Sequence, residues 1–305
     1  LSLTFSHGVP VVYADGENIM VASVEELEEL AKNCKLDTWS QGKTVTLTAD
    51  LDLTGSDFTS IPTFGGTFDG GGHTISGLTF DGDGSNEGFF RYVQESATVK
   101  DLHIEGTLTP TGSKKNIGGV AGSNRGQILS CTFAGTIDAQ TNVGGIVGIN
   151  EETGSIYSSS VSGSISGTHS TGGVVGRNLG QIINCSNEAE VNIGEQEEGT
   201  TLSELNVDTN LNQIASSEEK TEILNTTTDT GGICGYSSGT VQNCTNEGKV
   251  GYPHIGYNVG GVAGRSAGYL SGNQNYGYIQ GRKDVGGITG QMAPDLTLRF
   301  DADKI

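Results

Sequence analysis

Apolar residues in this chain come in short runs, aliphatic alternating with small or polar, and the runs stop at glycine or asparagine. Alternation with a period of two is the pattern of short, half-buried strands separated by corners. The runs also repeat. One phrase occurs six times, first as Asn116-Ile117-Gly118-Gly119-Val120-Ala121-Gly122 and then as Asn142-Val143-Gly144-Gly145-Ile146-Val147-Gly148. It returns as Thr171-Gly172-Gly173-Val174-Val175-Gly176 and as Thr230-Gly231-Gly232-Ile233-Cys234-Gly235. Its last copies are Asn258-Val259-Gly260-Gly261-Val262-Ala263-Gly264 and Asp284-Val285-Gly286-Gly287-Ile288-Thr289-Gly290. The first glycines of the phrases are 26, 28, 59, 29 and 26 residues apart.

Other columns keep the same step. A glycine follows at Gly126, Gly154, Gly180, Gly239 and Gly268, and an aliphatic residue at Ile128, Ile156, Ile182, Val241 and Leu270. Cys131, Ser159, Cys185, Cys244 and Asn273 form a third column, and Ile137, Ile165, Val191, Val250 and Ile279 a fourth. A unit of about 27 residues made only of short strands cannot bury its own apolar side, but stacked units can. The pattern therefore predicts an all-β chain, a parallel β-helix (β-solenoid), right-handed by base rate, with rungs about 4.8 Å apart. Glycine is expected where coils approach closely or where the backbone turns with positive φ. Upstream, Val45–Leu53, Gly65–Ile75 and the runs Glu87–Arg91 and Ala97–Leu102 read as three entry coils. The total is about nine coils, some 45 Å long.

The phrase resembles the GLUG motif, a short repeat of bacterial secreted and surface proteins, over roughly residues 112–290. That family includes adhesin-like proteins and the N-terminal parts of immunoglobulin A-cleaving metallopeptidases. The resemblance implies a β-helix scaffold on a cell surface and brings no catalytic motif with it. No His-Glu-x-x-His sequence occurs in the chain, so the metallopeptidase chemistry of those relatives is not expected here.

Three segments depart from the repeat. Residues 1–14 end in small residues before an acidic stretch and read as the remnant of a signal peptide, the alternative being an ordinary first strand. Residues 15–40 read as an N-terminal cap. Ser23-Val24-Glu25-Glu26 is a capping box, and Val24, Leu27, Leu30 and Ala31 line one face of a short helix. The β-helix is then assigned to 41–305, interrupted at 194–229 by a stretch with nine acids, one lysine and almost no glycine. That stretch reads as a loop-out excursion, an irregular extra coil being the alternative.

Composition sharpens this picture. Of 305 residues 49 are glycine and only 5 proline, while hydrophobic residues make up 33%. Charged residues are 17%, too few for a disordered chain, so the glycine is architectural. The net charge of −20 argues against nucleic-acid binding, and no apolar stretch is long enough for a membrane span. A secreted or cell-surface location suits both the start and the acidity.

Candidate chemistry is sparse. Asp81, Asp83 and Glu87 are weak calcium candidates on what reads as a turn, their glycines out of step with an EF-hand; no other cofactor is called for. Cys185 and Cys244 share a column and would come within bridging distance if 194–229 loops out, though a buried thiol ladder is the plainer reading. Tyr252, Tyr257, Tyr276 and Tyr278, with Tyr269, gather in the last coils, either as rings exposed for sugar stacking or as filling for a wider core. For catalysis, Asp50 with Asp52, or Asp69 with Asp101, are the carboxylates that would cluster. Arg91, Arg125, Arg177 and Arg265 are scattered along the sequence; Arg177 and Arg265 share one repeat position, which duplication alone can explain.

The expected function is a non-catalytic surface module for adhesion or ligand presentation within a larger protein, its partner a host or matrix glycan or protein. A carbohydrate-active β-helix enzyme, lyase or hydrolase, is the alternative; the stalk of a surface peptidase is a third reading.

Overall fold

In the computed structural model, residues 17–80, 83–194 and 227–292 are described. Each full coil carries four short strands. In one coil these are Thr141–Gly144, Val147–Asn150, Ser155–Tyr157 and Ser160–Ser166. The equivalent strands of successive coils pair in parallel and build four sheets, here called faces one to four in that order. The fold is a parallel β-solenoid of about nine turns; faces three and four each have nine strands.

The expected columns are ladders. Gly118, Gly144, Gly172, Gly231, Gly260 and Gly286 are register partners down face one. Ile128, Ile156, Ile182, Val241 and Leu270 run down face three. Because Gly172 pairs directly with Gly231, the 59-residue step adds a single rung to face one. Residues 195–226 of the acidic stretch lie outside the described residues, as do the first 16 residues with the expected signal-peptide remnant.

At the N-terminal end, Asn18–Val21 already forms the end strand of face three, paired with Thr44–Leu47. Between them runs the helix Val24–Asn33. Ser23 caps it by accepting the Glu26 amide at 3.2 Å and donating to the Glu26 carboxylate at 3.2 Å. Its buried Leu27 and Leu30 join the core cluster that contains Val21 and Val45. The early coils are filled by Phe64, Phe68, Phe89 and Phe90, whose ring centroids lie 4.9–5.9 Å apart, mostly edge to face. From Ile117 onward the core is mostly aliphatic, with Phe133 and four buried cysteines among it, and most of its side chains have no exposed surface at all.

The phrase glycines act through space rather than through positive φ. A Cβ on Gly148 would lie 2.5 Å from the backbone of Asn116 and Ile117 on face one of the preceding coil, and one on Gly176 would lie 2.3 Å from the Val143 amide. Faces one and two are therefore packed backbone to backbone, which only glycine permits. The left-handed turns fall elsewhere, on Asn86, Asn116, Asn142, Ser170, Asp229, Asn258 and Asp284, with φ of 54–58°. A second such column is Asp101, Ser130, Ser158, Asn184 and Asn243 at the corner between faces three and four. Asn, Asp and Ser tolerate this region because their side chains hydrogen-bond locally.

Asparagine ladders then tie the rungs together. Buried Asn124 donates to Asn150 and Asn150 to Asn178, each at 2.9 Å, and Asn178 donates to the Ser237 hydroxyl at 3.1 Å. Asn187, Asn246 and Asn275 repeat the arrangement near face four. Each link satisfies a buried amide that would otherwise be costly to bury.

Candidate functional site

The corner between faces one and two opens outward as a groove of about 550 Å³ running along the solenoid axis. Its floor is the column of left-handed residues Asn116, Asn142, Ser170 and Asp229. One wall is the outward column of face one: Lys115, Thr141, His169 and Thr228, on consecutive rungs. The other wall is the residue after the third phrase glycine, on face two. Down that column Ile149 pairs with Arg177, Arg177 with Tyr236 and Tyr236 with Arg265.

This ladder is an arginine–tyrosine–arginine stack. The Arg177 and Arg265 guanidiniums sit 4.6 and 4.4 Å from the centroid of the Tyr236 ring. Tyr236 is 7% exposed, so its ring is taken up by the two cations and acts as their spacer. Arg265 Nε also donates to Asp229 at 3.3 Å, and Asp229 in turn accepts from Asn258 at 2.8 Å. Arg177 has no carboxylate within ion-pairing distance among the described residues. His169 Nδ1 and the Thr228 hydroxyl are 2.7 Å apart on the facing wall. A chain of net charge −20 thus gathers Lys115, Arg177 and Arg265 around one groove with a single acid among them.

The arginines look scattered in the sequence because 88 residues separate Arg177 from Arg265, by subtraction of their numbers; in the solenoid they are two rungs apart. Their shared repeat position was the available signal. Tyr236, which fills the same position in the intervening phrase, completes it and was missed.

The other candidates are placed as follows. Tyr276 and Tyr278 are 70% and 66% exposed and Tyr269 is 78% exposed, so these rings lie on the surface and do not fill the core. Tyr257 follows Thr228 in the face-one column, with the Arg282 guanidinium 6.0 Å from its ring; Tyr252 is half-buried beside the bridge to Ile255. The structure thus places Tyr257 on face one and Tyr269 on face three.

Of the calcium candidates, Asp81 lies outside the described residues, whereas Asp83–Glu87 is a strand of face one, not a turn. Glu87 occupies the register position of Ile117, and its burial raises its carboxyl above the ordinary value, opposed by Arg91. Among the described residues no three His, Cys, Asp or Glu side chains gather as a metal site would need.

Asp50 and Asp52 do not pair with each other. Asp50 accepts the Thr74 amide at 2.9 Å and contacts His73 Nδ1 at 3.2 Å, bonds that hold its carboxyl below the usual range. Asp52 caps the Thr54 amide, and Asp69 caps the Gly71 amide while facing Lys100 at 4.0 Å. The five cysteines are buried free thiols, and burial pushes Cys131 up to about 12. Among the described residues no helix is long and apolar enough to cross a membrane.

Fold and repeat together define a parallel β-solenoid whose coils carry one recurring sequence phrase. The family described as the GLUG motif matches residues 139–166 and 167–192, two consecutive coils of the structure. Halomucin from Haloquadratum walsbyi is 30% identical over 140 residues, 40% of this chain and 2% of its own length. Among solved structures, the chain is similar to one described as a "putative immunoglobulin A1 protease" from Bacteroides ovatus, with a TM-score of 0.62 and 16% identity. That match covers 90% of this chain and 82% of the other, a likeness of fold.

Proposed function

We propose that the chain is a non-catalytic β-helix module of a larger secreted or cell-surface protein, and that it serves adhesion or ligand presentation. The observation that carries this reading is the groove between faces one and two, where a rigid ladder holds cationic and hydrogen-bonding side chains at fixed spacing. A preorganised, solvent-open row of side chains loses little freedom on binding, which suits recognition of an extended partner. The match of two coils to the GLUG motif, and the likeness to halomucin over only 2% of that protein's length, support a module within a larger protein. The test is adhesion of the fluorescently labelled chain to immobilised glycans and matrix proteins. Saturable binding to at least one supports the reading; none across both sets overturns it.

The Asp50–His73 contact favours a second reading, a carbohydrate-active enzyme using the imidazole as an acid or base. Turnover of a polysaccharide that disappears in Asp50→Asn would establish that reading in place of the first.

A further inference from the structure

We infer that the groove takes a linear acidic polysaccharide, a glycan chain bearing carboxylates, laid along the solenoid axis and held by Arg177 and Arg265. This rests on the reading of the chain as a binding module and names its ligand class.

Three features point to this chemistry. The first is charge. Lys115, Arg177 and Arg265 face one groove of a chain whose net charge is −20, and Arg177 has no carboxylate partner among the described residues. A like-charged surface opposes anionic ligands at long range, so cations kept together in one groove mark where an anion is received. The second is geometry. Tyr236 fixes both guanidiniums against its two faces, and the arginines sit two rungs apart, about 10 Å. Sugar rings in an extended chain advance by nearly one rung each, so carboxylates two sugars apart would meet both arginines. The planar fork of each guanidinium suits a carboxylate better than a point charge would. The third is the facing wall, where Thr141, His169 and Thr228 present hydroxyls and an imidazole one per rung, a spacing suited to sugar hydroxyls.

An acidic peptide is the competing occupant. It advances by a different step along its length and has few hydroxyls to offer that wall.

The experiment is calorimetric titration of the full chain with polygalacturonate, dextran and poly-L-glutamate, followed by galacturonate oligomers of increasing length. Polygalacturonate should bind at least about ten-fold more tightly than dextran. Arg177→Gln and Arg265→Gln should each weaken it about ten-fold, the loss of one charge-assisted contact. The largest gain with oligomer length should come at the trimer, the first to span two rungs. Lys32→Gln, in the helix and remote from the groove, should leave affinity unchanged.

Equal affinity for poly-L-glutamate would overturn the glycan assignment in favour of an acidic peptide. Equal weakening by Lys32→Gln would overturn it in favour of diffuse charge attraction. If polygalacturonate does not bind but the chain still adheres to a matrix, this inference falls and the module reading stands. If nothing binds, both fall. Melting curves of the variants separate lost contacts from lost folding: Arg177→Gln should keep nearly the native midpoint, whereas Arg265→Gln, which leaves the largely buried Asp229 without its cation, should lower it, and affinities are compared well below both midpoints.

Discussion

Replacing Asn150 probes what holds the coils in register. Its side chain is fully buried; Nδ2 donates to Asn178 Oδ1 at 2.9 Å, and Oδ1 accepts from Asn124 at 2.9 Å. Asn150→Ala removes both rung-to-rung bonds, at about 1 kcal/mol each, and leaves a small cavity. Asn124 and Asn178 keep their other bonds, to the Gly126 carbonyl and from the Gly180 amide. The expected loss is therefore about 2–4 kcal/mol in urea unfolding. Asn150→Asp should cost more at neutral pH, about 3–5 kcal/mol, because it buries a charge and sets an acceptor against Asn178 Oδ1 and the Gly154 and Gln181 carbonyls. Burial and these facing acceptors raise the folded-state pKa of the new carboxyl above its unfolded value. The penalty is thus absent below the unfolded pKa and grows as pH rises toward the folded one. Acidification from pH 7 to 4.5 should move the unfolding midpoint of Asn150→Asp back toward that of Asn150→Ala, since a protonated carboxyl can again donate. An Asp variant as stable as the native chain at pH 7, with no pH dependence, would refute the claim that this ladder is a dry, directional hydrogen-bond chain.

Further outcomes follow from other contacts. Gly148→Ala should destabilise by at least about 2 kcal/mol, because its Cβ would lie 2.5 Å from backbone atoms. Gly55→Ala, with φ of +73° and open space around it, should cost only about 1 kcal/mol; equal losses in thermal unfolding would contradict the backbone-to-backbone packing of faces one and two. Thr171→Val should stabilise by about 1 kcal/mol, since the Thr171 hydroxyl is buried without a hydrogen-bond partner among the described residues and Val143 fills the same column; a loss measured in the same assay would show that the hydroxyl is satisfied. Iodoacetamide at pH 8 should label none of Cys131, Cys185, Cys234 and Cys244 in the native chain and all of them in guanidinium, as mass spectrometry would show. Because its hydrogen bonds lower the Asp50 pKa, their contribution is present above the unfolded carboxylate pKa and lost as pH falls through the folded one. Asp50→Asn should therefore flatten the acid limb of the stability curve, and an unchanged limb would contradict the Asp50 contacts.

The stacking of coils was legible because a solenoid repeats its chemistry at fixed intervals. Ile128, Ile156 and Ile182 occupy one column in the sequence and one ladder in space. The helix was legible because capping and amphipathic spacing are local signals, as at Ser23 and Glu26. The role of the phrase glycines was readable only in part. Their count marked corners, but the positive φ values fall on Asn116, Asn142 and Asp229, while Gly148 and Gly176 are demanded by a strand of another coil. In sequence Glu87 belongs to a turn-like polar run, yet pairing with Ile117 draws it into a strand, because the edge of a sheet can recruit a polar segment.

By itself, then, the sequence determined the class of fold, the repeat step and the columns, since each depends on residue types recurring along one dimension. Tertiary structure alone decided what lies beside what across the coil: that faces one and two touch through glycine, that the 59-residue step adds one rung to face one, and that Arg177, Tyr236 and Arg265 stack as neighbours. The physical reason is that a ladder turns separations of 59 and 29 residues into the same single rung of about 4.8 Å, so distance along the chain carries no measure of distance in the groove.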